Sequence, residues 1–268
     1  MPAAAMLQSR AVPRAIASAV TFPTPLADAA RVPDVARVST VCSTCALRTI
    51  CMPCGLQPES LADIDGLVYS RRRIHRGEHL FHAGEPFKAL YAFRSGFFKT
   101  YVDAPDGTTQ ITAFPMAGDV VGMDGIDTDQ HRFNVVALDD GDVCVIPYAH
   151  LQTVAAGNPT LQRQLHKLMS REIVREQSLM MLLGSMRADA RVAAFLLGLS
   201  NRFAARGYSA SEFNLRMTRE EIGSYLGLKL ETVSRALSRF QDENLIRAHL
   251  RSITIVDAEA LQRVVPAF

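Results

Sequence analysis

The sequence predicts an α+β protein in three parts: an N-terminal β jelly-roll, a long helix and a C-terminal winged helix-turn-helix domain. Short apolar runs alternate with glycine-containing turns over residues 61–150, as in an all-β sandwich or barrel. Residues 158–186 carry apolar side chains at helical spacing, and residues 218–240 join two short helical patterns across a glycine. With 268 residues and 48% hydrophobic content, the chain can bury a sizeable core.

The overall composition excludes several classes of protein. The net charge is +2 with 21% charged residues, so any basic surface must be local. Five cysteines, an odd and clustered set, do not fit a secreted disulfide framework. No run approaches the roughly 18 apolar residues of a membrane span, and prolines at 13, 23 and 25 interrupt any signal peptide. We therefore expect a protein of the reducing cytoplasm with no membrane partner.

Residues 1–40 are rich in Ala, Val and Pro and lack a sustained period, which predicts a mobile tail. A cysteine-rich segment follows at 41–60, where four of the five cysteines fall within residues 42–54. Thiolates this close repel one another and oxidise unless a metal, a cluster or a disulfide partner binds them. We interpret the segment as an iron–sulfur site. A zinc site or a thiol switch is the alternative.

Strand-length apolar runs at 90–93, 97–102, 110–114 and 143–146 predict a β-roll domain over 61–150. Asp106 and Gly107 lie between two of these runs, which indicates a hairpin. The fifth cysteine, Cys144, lies in the last run. A cysteine in such a strand is usually a small buried hydrophobe.

The long helix at 158–186 is predicted to begin at Asn158, a good N-cap, followed by Pro159 in the first turn. Residues spaced three and four apart form a seam that predicts a dimerisation helix. The seam residues are Leu165, Met169, Ile173, Glu176 and Met180. Glu176 is an acid in an otherwise apolar seam. Either the helix lies on its own β domain with Glu176 at the edge, or two copies of Glu176 face each other and weaken a dimer.

Residues 187–268 are predicted to form a winged helix-turn-helix domain that binds double-stranded DNA. Thr218 and Glu221 form a capping box, Gly227 ends the first helix, and the second helix begins near Glu231. The second helix of this motif enters the major groove, and residues 246–255 suggest a wing. An ordinary amphipathic helix pair is the alternative. The candidate DNA-contacting residues are Thr218, Lys229, Glu231, Ser234, Arg235 and Arg239.

These candidates divide by the chemistry of their side chains. Glu can accept from cytosine, Arg can grip guanine and Ser can bond either way, so Glu231, Ser234 and Arg235 are expected on base edges. Lys229 and Arg239 are better placed for phosphates.

The chain resembles the FNR (fumarate and nitrate reduction regulator) family within the cyclic-AMP receptor protein/FNR superfamily. The similarity runs from about residue 42 to about residue 260 and is carried by LYAFRSG at 90–96, AGD at 117–119 and MTR at 217–219. The cysteine spacing C-x2-C-x5-C with one distant cysteine also matches. The resemblance implies a cyclic-nucleotide-binding-like roll in an oxygen-responsive transcription regulator.

The resemblance also implies roles for particular residues. A [4Fe-4S] cluster would be ligated under anoxia by Cys42, Cys45, Cys51 and Cys144. The loaded chain would form a homodimer on DNA, and oxygen would convert the cluster to [2Fe-2S] and separate the dimer. The base-reading positions for a TTGAT-type half-site would be Glu231, Ser234 and Arg235.

Two further roles follow from the same resemblance. Glu176 matches an acid that resists dimerisation, and Ile173 matches an apolar contact in the dimer helix. RNA polymerase would be contacted near Arg94, Ser95 and the 106–108 turn.

Cys54 departs from the family pattern, because it is an extra cysteine next to the implied ligand set. It could compete as a ligand, help repair the cluster or simply pack beside it. Cys51 and Cys54 also form a C-x-x-C unit, which is an alternative interpretation: the two thiols could form a disulfide on oxidation.

Two other functions are not expected. The stretch 118–127 carries Asp119, Asp124 and Asp127, and no Arg follows until Arg132. Carboxylates repel a phosphate, so we expect no cyclic nucleotide. We also predict no enzyme, because the C-x3-C-x2-C spacing of radical enzymes and a G-x-G-x-x-G fingerprint are missing from the sequence.

Overall fold

The computed structural model describes residues 42–54, 64–68 and 70–266. The predicted mobile tail at 1–40, and parts of the segments predicted at 41–60 and 61–150, lie outside the described residues. Within them the fold is α+β, and the predicted class is confirmed.

The β-roll consists of two four-stranded antiparallel sheets, in the orders β1-β8-β3-β6 and β2-β7-β4-β5. Val143 and Phe98, one from each sheet, lie in a common buried cluster between them. The strands are β1 (Ser70–Ile74), β2 (His79–Phe81), β3 (Ala89–Phe93), β4 (Phe98–Asp103), β5 (Thr109–Ala113), β6 (Val120–Val121), β7 (Asn134–Ala137) and β8 (Gly141–Pro147). Side chains alternate between the faces of a strand, so Val143 points inward and Cys144 points to the outer face.

The predicted hairpin at Asp106 and Gly107 is confirmed between β4 and β5. The turn is closed by the amide of Gly107, which donates to the carbonyl of Ala104 at 2.9 Å, and Gly107 has a φ of 82°. A positive φ of this size favours glycine.

Two helices follow the roll, α1 (Tyr148–Gly157) and α2 (Pro159–Ser185). The predicted cap is confirmed, because the Asn158 side chain accepts from the amide of Leu161 at 3.0 Å and Pro159 occupies the first turn. Leu161 and Leu168 are buried against the roll. The first half of α2 is therefore anchored on the chain's own β domain.

The C-terminal domain contains the helices α3 (Ala188–Ala204), α4 (Arg219–Leu226), α5 (Leu230–Asp242) and α6 (Ala258–Val264). Its strands are β9 (Glu212–Asn214), β10 (Ile246–His249) and β11 (Ser252–Ile255), in the order β10-β11-β9. The predicted capping box of Thr218 and Glu221 is confirmed, and Gly227 ends α4 with a φ of 62°. The wing is also confirmed. The strand β9, which the sequence did not indicate, completes its sheet.

The C-terminal domain packs directly on the roll. Ile111 and Phe114 of the roll share one buried cluster with Phe195 and Leu199 of α3 and with Phe213 of β9. Burial of this shared apolar surface stabilises the contact between the two domains. No helix in the described part of the chain is long and apolar enough to cross a membrane.

Candidate functional site

The cysteine segment at 42–54 lies on the outer face of the first sheet. Cys42 and Met52 are buried there, in a cluster that includes Leu90 and Ala92 of β3. Short turns shape the segment, as the amide of Cys45 donates to the carbonyl of Cys42 at 3.1 Å. The segment is thus held against the sheet by apolar packing.

A carboxylate fixes the start of the segment. The amide and the hydroxyl of Ser43 donate to the two carboxylate oxygens of Asp65, at 2.8 and 2.7 Å. This pair of bonds joins the residue after Cys42 to a residue 22 positions later. It restricts where the Cys42 thiol can lie.

Strand pairing brings Cys144 to the same face. In β8 it stands directly opposite Ala92 of β3 on one side and Arg71 of β1 on the other. Residues directly opposite in an antiparallel pair point to the same face. Cys144 accordingly packs against the cluster that contains Cys42, although 102 positions separate the two (144 − 42).

The thiols act on one another electrostatically. Burial, with smaller contributions from Cys144, Cys45 and Asp65 and against a lowering by Arg71, raises the pKa of Cys42 to about 12. The pKa of Cys51 is likewise raised to about 12. Burial is the main cause, a hydrogen bond from the Met52 backbone opposes it, and Cys144, Cys42 and Cys45 contribute to the rise. Cys42, Cys51 and Cys144 thus share one cluster on the outer face of the sheet, and Cys45 lies near enough to act on all three.

The donor chemistry suits a cluster. Among the described residues, no three or more His, Cys, Asp or Glu side chains are close enough to hold a single metal ion. A four-iron cluster is wider than one ion and takes one thiolate at each corner, and Cys thiolates are its usual ligands. Cys54 is half-buried, and its amide donates to the carbonyl of Cys51 at 2.9 Å.

The helix α5 presents the candidate base-reading residues. Val233 and Phe240 bury one face, while Glu231 and Arg235 are exposed and Ser234 is half-buried on the other. Lys229 is exposed immediately before the helix. An exposed polar face on a helix with a buried apolar stripe is what a groove-reading helix needs.

Four candidates already have partners within the chain: Thr218, Ser234, Arg235 and Arg239. The Thr218 hydroxyl accepts from the amide of Glu221 at 3.1 Å in the capping box. The Arg239 guanidinium pairs with the Asp189 carboxylate of α3. Their roles on DNA stay predictions.

Arg219 is a residue that the sequence reasoning missed. Its Nη1 donates to the Ser234 hydroxyl at 3.3 Å, so it lies against the recognition face of α5. Its position directly after the N-cap Thr218 was the signal that could have indicated it.

The α2 seam residues lie in two environments. Leu165 and Met169 are half-buried and line a groove between α1, α2 and the roll. Ile173 and Met180 are 57% and 63% exposed, and Glu176 is exposed between them. The second half of α2 thus offers an apolar face that the rest of this chain leaves uncovered in the described structure.

Polar links join the roll to the DNA-binding domain, and the sequence analysis did not find them. Lys99 donates to Glu221 at 2.7 Å across 122 positions. The Asp119 carboxylate forms ion pairs with Nη2 of Arg202 at 2.5 Å and with Nη2 of Arg206 at 2.8 Å. Partners this far apart leave no local pattern, so only the tertiary structure identifies them.

Comparison with known families agrees with both domains. Residues 71–158 match the cyclic nucleotide-binding domain family, and residues 190–264 match the Crp-like helix-turn-helix domain family. The solved structure of FixK2 from Bradyrhizobium japonicum is similar, with a TM-score of 0.69 and 30% identity over 74% of this chain and 98% of that one.

Two relatives are similar along most of their length. The transcriptional regulatory protein btr of Bordetella pertussis is 44% identical over 87% of this chain and 95% of its own. The fumarate and nitrate reduction regulatory protein of Yersinia pestis is 42% identical over 83% of this chain and 89% of its own. The relatives are transcription regulators and not enzymes, and the matched helix-turn-helix is a DNA-binding domain. The chain therefore belongs to the FNR family of Crp/FNR transcription regulators.

Proposed function

We propose that this regulator senses oxygen through a [4Fe-4S] cluster held by Cys42, Cys45, Cys51 and Cys144. One observation supports the proposal: strand pairing places Cys144 in the same apolar cluster as Cys42 and Cys51, about a hundred positions earlier in the sequence, and Cys45 lies near enough to act on all three. We also propose 41–60 as the sensor segment, 61–150 as the roll, 158–186 as the dimerisation helix and 187–268 as the DNA-binding domain.

The chain's own residues prepare this site. Burial favours the neutral thiols of Cys42 and Cys51, so metal ligation must release their protons. Packing of Met52 and the Ser43–Asp65 bonds hold the ligand loop against the sheet beforehand. When bound, a thiolate-ligated cluster supplies a group that oxygen can oxidise.

The helix α2 supports a dimer that the cofactor controls. Ile173 and Met180 offer exposed apolar side chains, and burying them against a second copy would stabilise a homodimer. Glu176 lies between them and opposes pairing through like-charge repulsion. Cluster binding would switch such a monomer–dimer equilibrium if it favoured the dimer by about 5 kcal/mol.

A dimer that reads a palindrome would present two α5 helices about 34 Å apart, the distance between successive major grooves on one face of DNA. Glu231, Ser234 and Arg235 would read TTGAT-type half-sites of a palindrome. Lys229 and Arg239 would contact phosphates. For Arg239 this requires exchange of its Asp189 partner for a phosphate.

Other partners follow from the same assignment. The names of the relatives support regulation of anaerobic respiration, and RNA polymerase would contact Arg94, Ser95 and the 106–108 turn. The roll would take no cyclic nucleotide, because its loop carries the carboxylates of Asp119 and Asp124. Arginines 202 and 206 already hold the first of these.

Anaerobic purification followed by absorption spectroscopy and iron and sulfide assays tests the proposal. We expect a broad band near 400 nm, with about four irons per chain as a [4Fe-4S] centre requires, and bleaching in air. Cys144→Ser should lose the band, whereas Cys54→Ser should keep it. Zinc or no metal in the wild-type protein, or equal iron in both variants, would contradict the assignment.

A further inference from the structure

Arg71 lies beside Cys144 on the outer face of the first sheet. The two residues are direct partners in the β1–β8 pairing, so their side chains share that face. Arg71 is half-buried. Its Nε atom is buried and donates to no acceptor in the described chain. A buried N–H without a partner is costly, so this atom requires an explanation.

The neighbouring arginines do not share this position. Arg72 points to the opposite face, where its guanidinium bonds Glu78 at 2.9 Å and the carbonyl of Leu80 at 3.3 Å. Arg73 points to the same face as Arg71 but is exposed, and it stands opposite Asp142. Within this run of three arginines, strand register places Arg71 at the thiols.

Charged side chains act on two of the thiols. Asp65 lies on the Cys42 side and raises the pKa of that thiol, after burial and the other thiols, while Arg71 lowers it. Burial raises the pKa of Cys144 and Cys45 adds to the rise, while the charges of Arg71 and Arg94 and a side-chain hydrogen bond from Arg71 oppose it. Arg71 therefore lowers the pKa of two thiols, those of Cys42 and Cys144, which are the first and last cysteines of the sequence.

We propose that Arg71 is a positioning residue for the cofactor, which places a positive charge and a free N–H beside the Cys144 ligand and so sets the reduction potential and the oxygen stability of the bound cluster. The inference rests on the proposed function above. Four thiolates and a cluster carry net negative charge on a partly buried face. A fixed cation there stabilises the more negative oxidation state and makes loss of an electron harder.

The same arrangement explains the unpartnered Nε. Hydrogen bonds to the sulfurs of a cluster tune its potential. The Nε–H, which has no acceptor among the described residues, would gain one from a sulfide or thiolate placed beside it. The cost of leaving the N–H unsatisfied is then confined to the metal-free chain.

Three variants test the inference: Arg71→Met removes charge and N–H, Arg71→Lys keeps the charge, and Arg73→Met removes an equal charge from an exposed position on the same face. Each protein is purified anaerobically with its cluster. Iron per chain, the midpoint potential of one-electron reduction, and the rate of absorbance loss in air are then measured. Thermal melting of the metal-free proteins reports on folding.

We expect Arg71→Met to shift the potential to more negative values and to lose its cluster in air about tenfold faster, the scale on which outer-shell partners of metal ligands act. Arg71→Lys should recover most of the potential, and Arg73→Met should match the wild-type protein. If Arg71→Met assembles no cluster but Arg71→Lys does, a cationic donor at this position is required for assembly.

Wild-type potential and decay rate in Arg71→Met would overturn the role of Arg71 and leave the proposed function intact. An equal shift in Arg73→Met would also overturn it, because the effect would then be one of net charge. If the wild-type protein itself assembles no iron–sulfur cluster, the proposed function and this inference fail together.

Discussion

Lys99 of β4 donates a hydrogen bond to Glu221 of α4, with Nζ and Oε1 2.7 Å apart. The other carboxylate oxygen of Glu221 accepts from the amide of Thr218 at 2.7 Å and closes the capping box. Three residues further along α4, the Ser224 hydroxyl accepts from the amide of Ile111 and donates to the carbonyl of Thr109, both at 2.9 Å. Hydrogen bonds thus hold the first helix of the DNA-binding motif against the β4–β5 hairpin.

Lys99→Met should lower the free energy of unfolding at pH 7 by about 2 kcal/mol, the value of a hydrogen bond to a charged group. Both side chains are mostly shielded from water, at 22% and 18% exposure, so solvent screens the pair only in part. Urea unfolding measures the loss. Lys88→Met, which removes an exposed lysine of the roll, should leave the unfolding midpoint unchanged.

The stability difference between wild type and Lys99→Met should depend on pH. Burial raises the pKa of Glu221, but hydrogen bonds from Lys99 and Thr218 outweigh this and hold it below the ordinary 4.5. A lowered pKa contributes stability above the unfolded value, and that stability is lost as pH falls through the folded value. The difference should therefore be full at neutral pH and shrink in acid. A constant difference would show that Glu221 is not involved.

Asp119→Asn should destabilise the docking of α3 on the roll. Its carboxylate receives both Arg202 and Arg206, and the side chains of Asp119 and Arg206 are only 18% and 7% exposed. Removing one partner of a buried pair leaves charge unpaired, so we expect a loss of about 3 kcal/mol in denaturant unfolding. Asp127→Asn is the control, because Asp127 is 86% exposed in its pair with Arg132 and such pairs contribute little.

Gly118→Ala should disturb the cysteine segment. A Cβ at Gly118 would lie 2.7 Å from Cδ1 of Ile50, the residue before Cys51, and the φ of 92° already disfavours alanine. We expect lower iron content after anaerobic assembly as well as a loss of stability. Gly107→Ala separates the two effects. Gly107 also has a positive φ, 82°, but a Cβ added there would have no neighbouring atom within 4 Å. It should lose about 1 kcal/mol of stability and keep its iron.

Glu231→Ala and Lys229→Ala should weaken DNA binding in different ways. Glu231→Ala should relax discrimination at one base pair by about 1–3 kcal/mol, as measured by competition among half-site variants. Lys229→Ala should weaken binding to all sequences alike and reduce the slope of log K against log salt by about one. Uniform weakening by Glu231→Ala would remove it from the base-reading set.

Glu176→Ala should increase the dimer fraction of the metal-free protein in air. The change removes a carboxylate from the exposed apolar face of α2 and with it the repulsion between two copies. Analytical ultracentrifugation at matched concentrations measures the shift. Glu259→Ala removes an exposed carboxylate from α6 and should leave the monomer fraction unchanged; an equal rise there would point to net charge instead.

The sequence by itself determined the local features, because their partners lie within a few positions. The Asn158 cap, the capping box of Thr218 and Glu221, the break at Gly227 and the hairpin at Gly107 all follow from side-chain and φ preferences over one turn. The same patterns predicted the fold class, and the family resemblance added the implied ligand roles of the four cysteines.

Only the tertiary structure decided which distant residues meet. Strand register selects Arg71 from three adjacent arginines and places it beside Cys144. Docking of the two domains joins Lys99 to Glu221. Such pairs arise when the whole core packs, since burial and register, not local propensity, bring their side chains together.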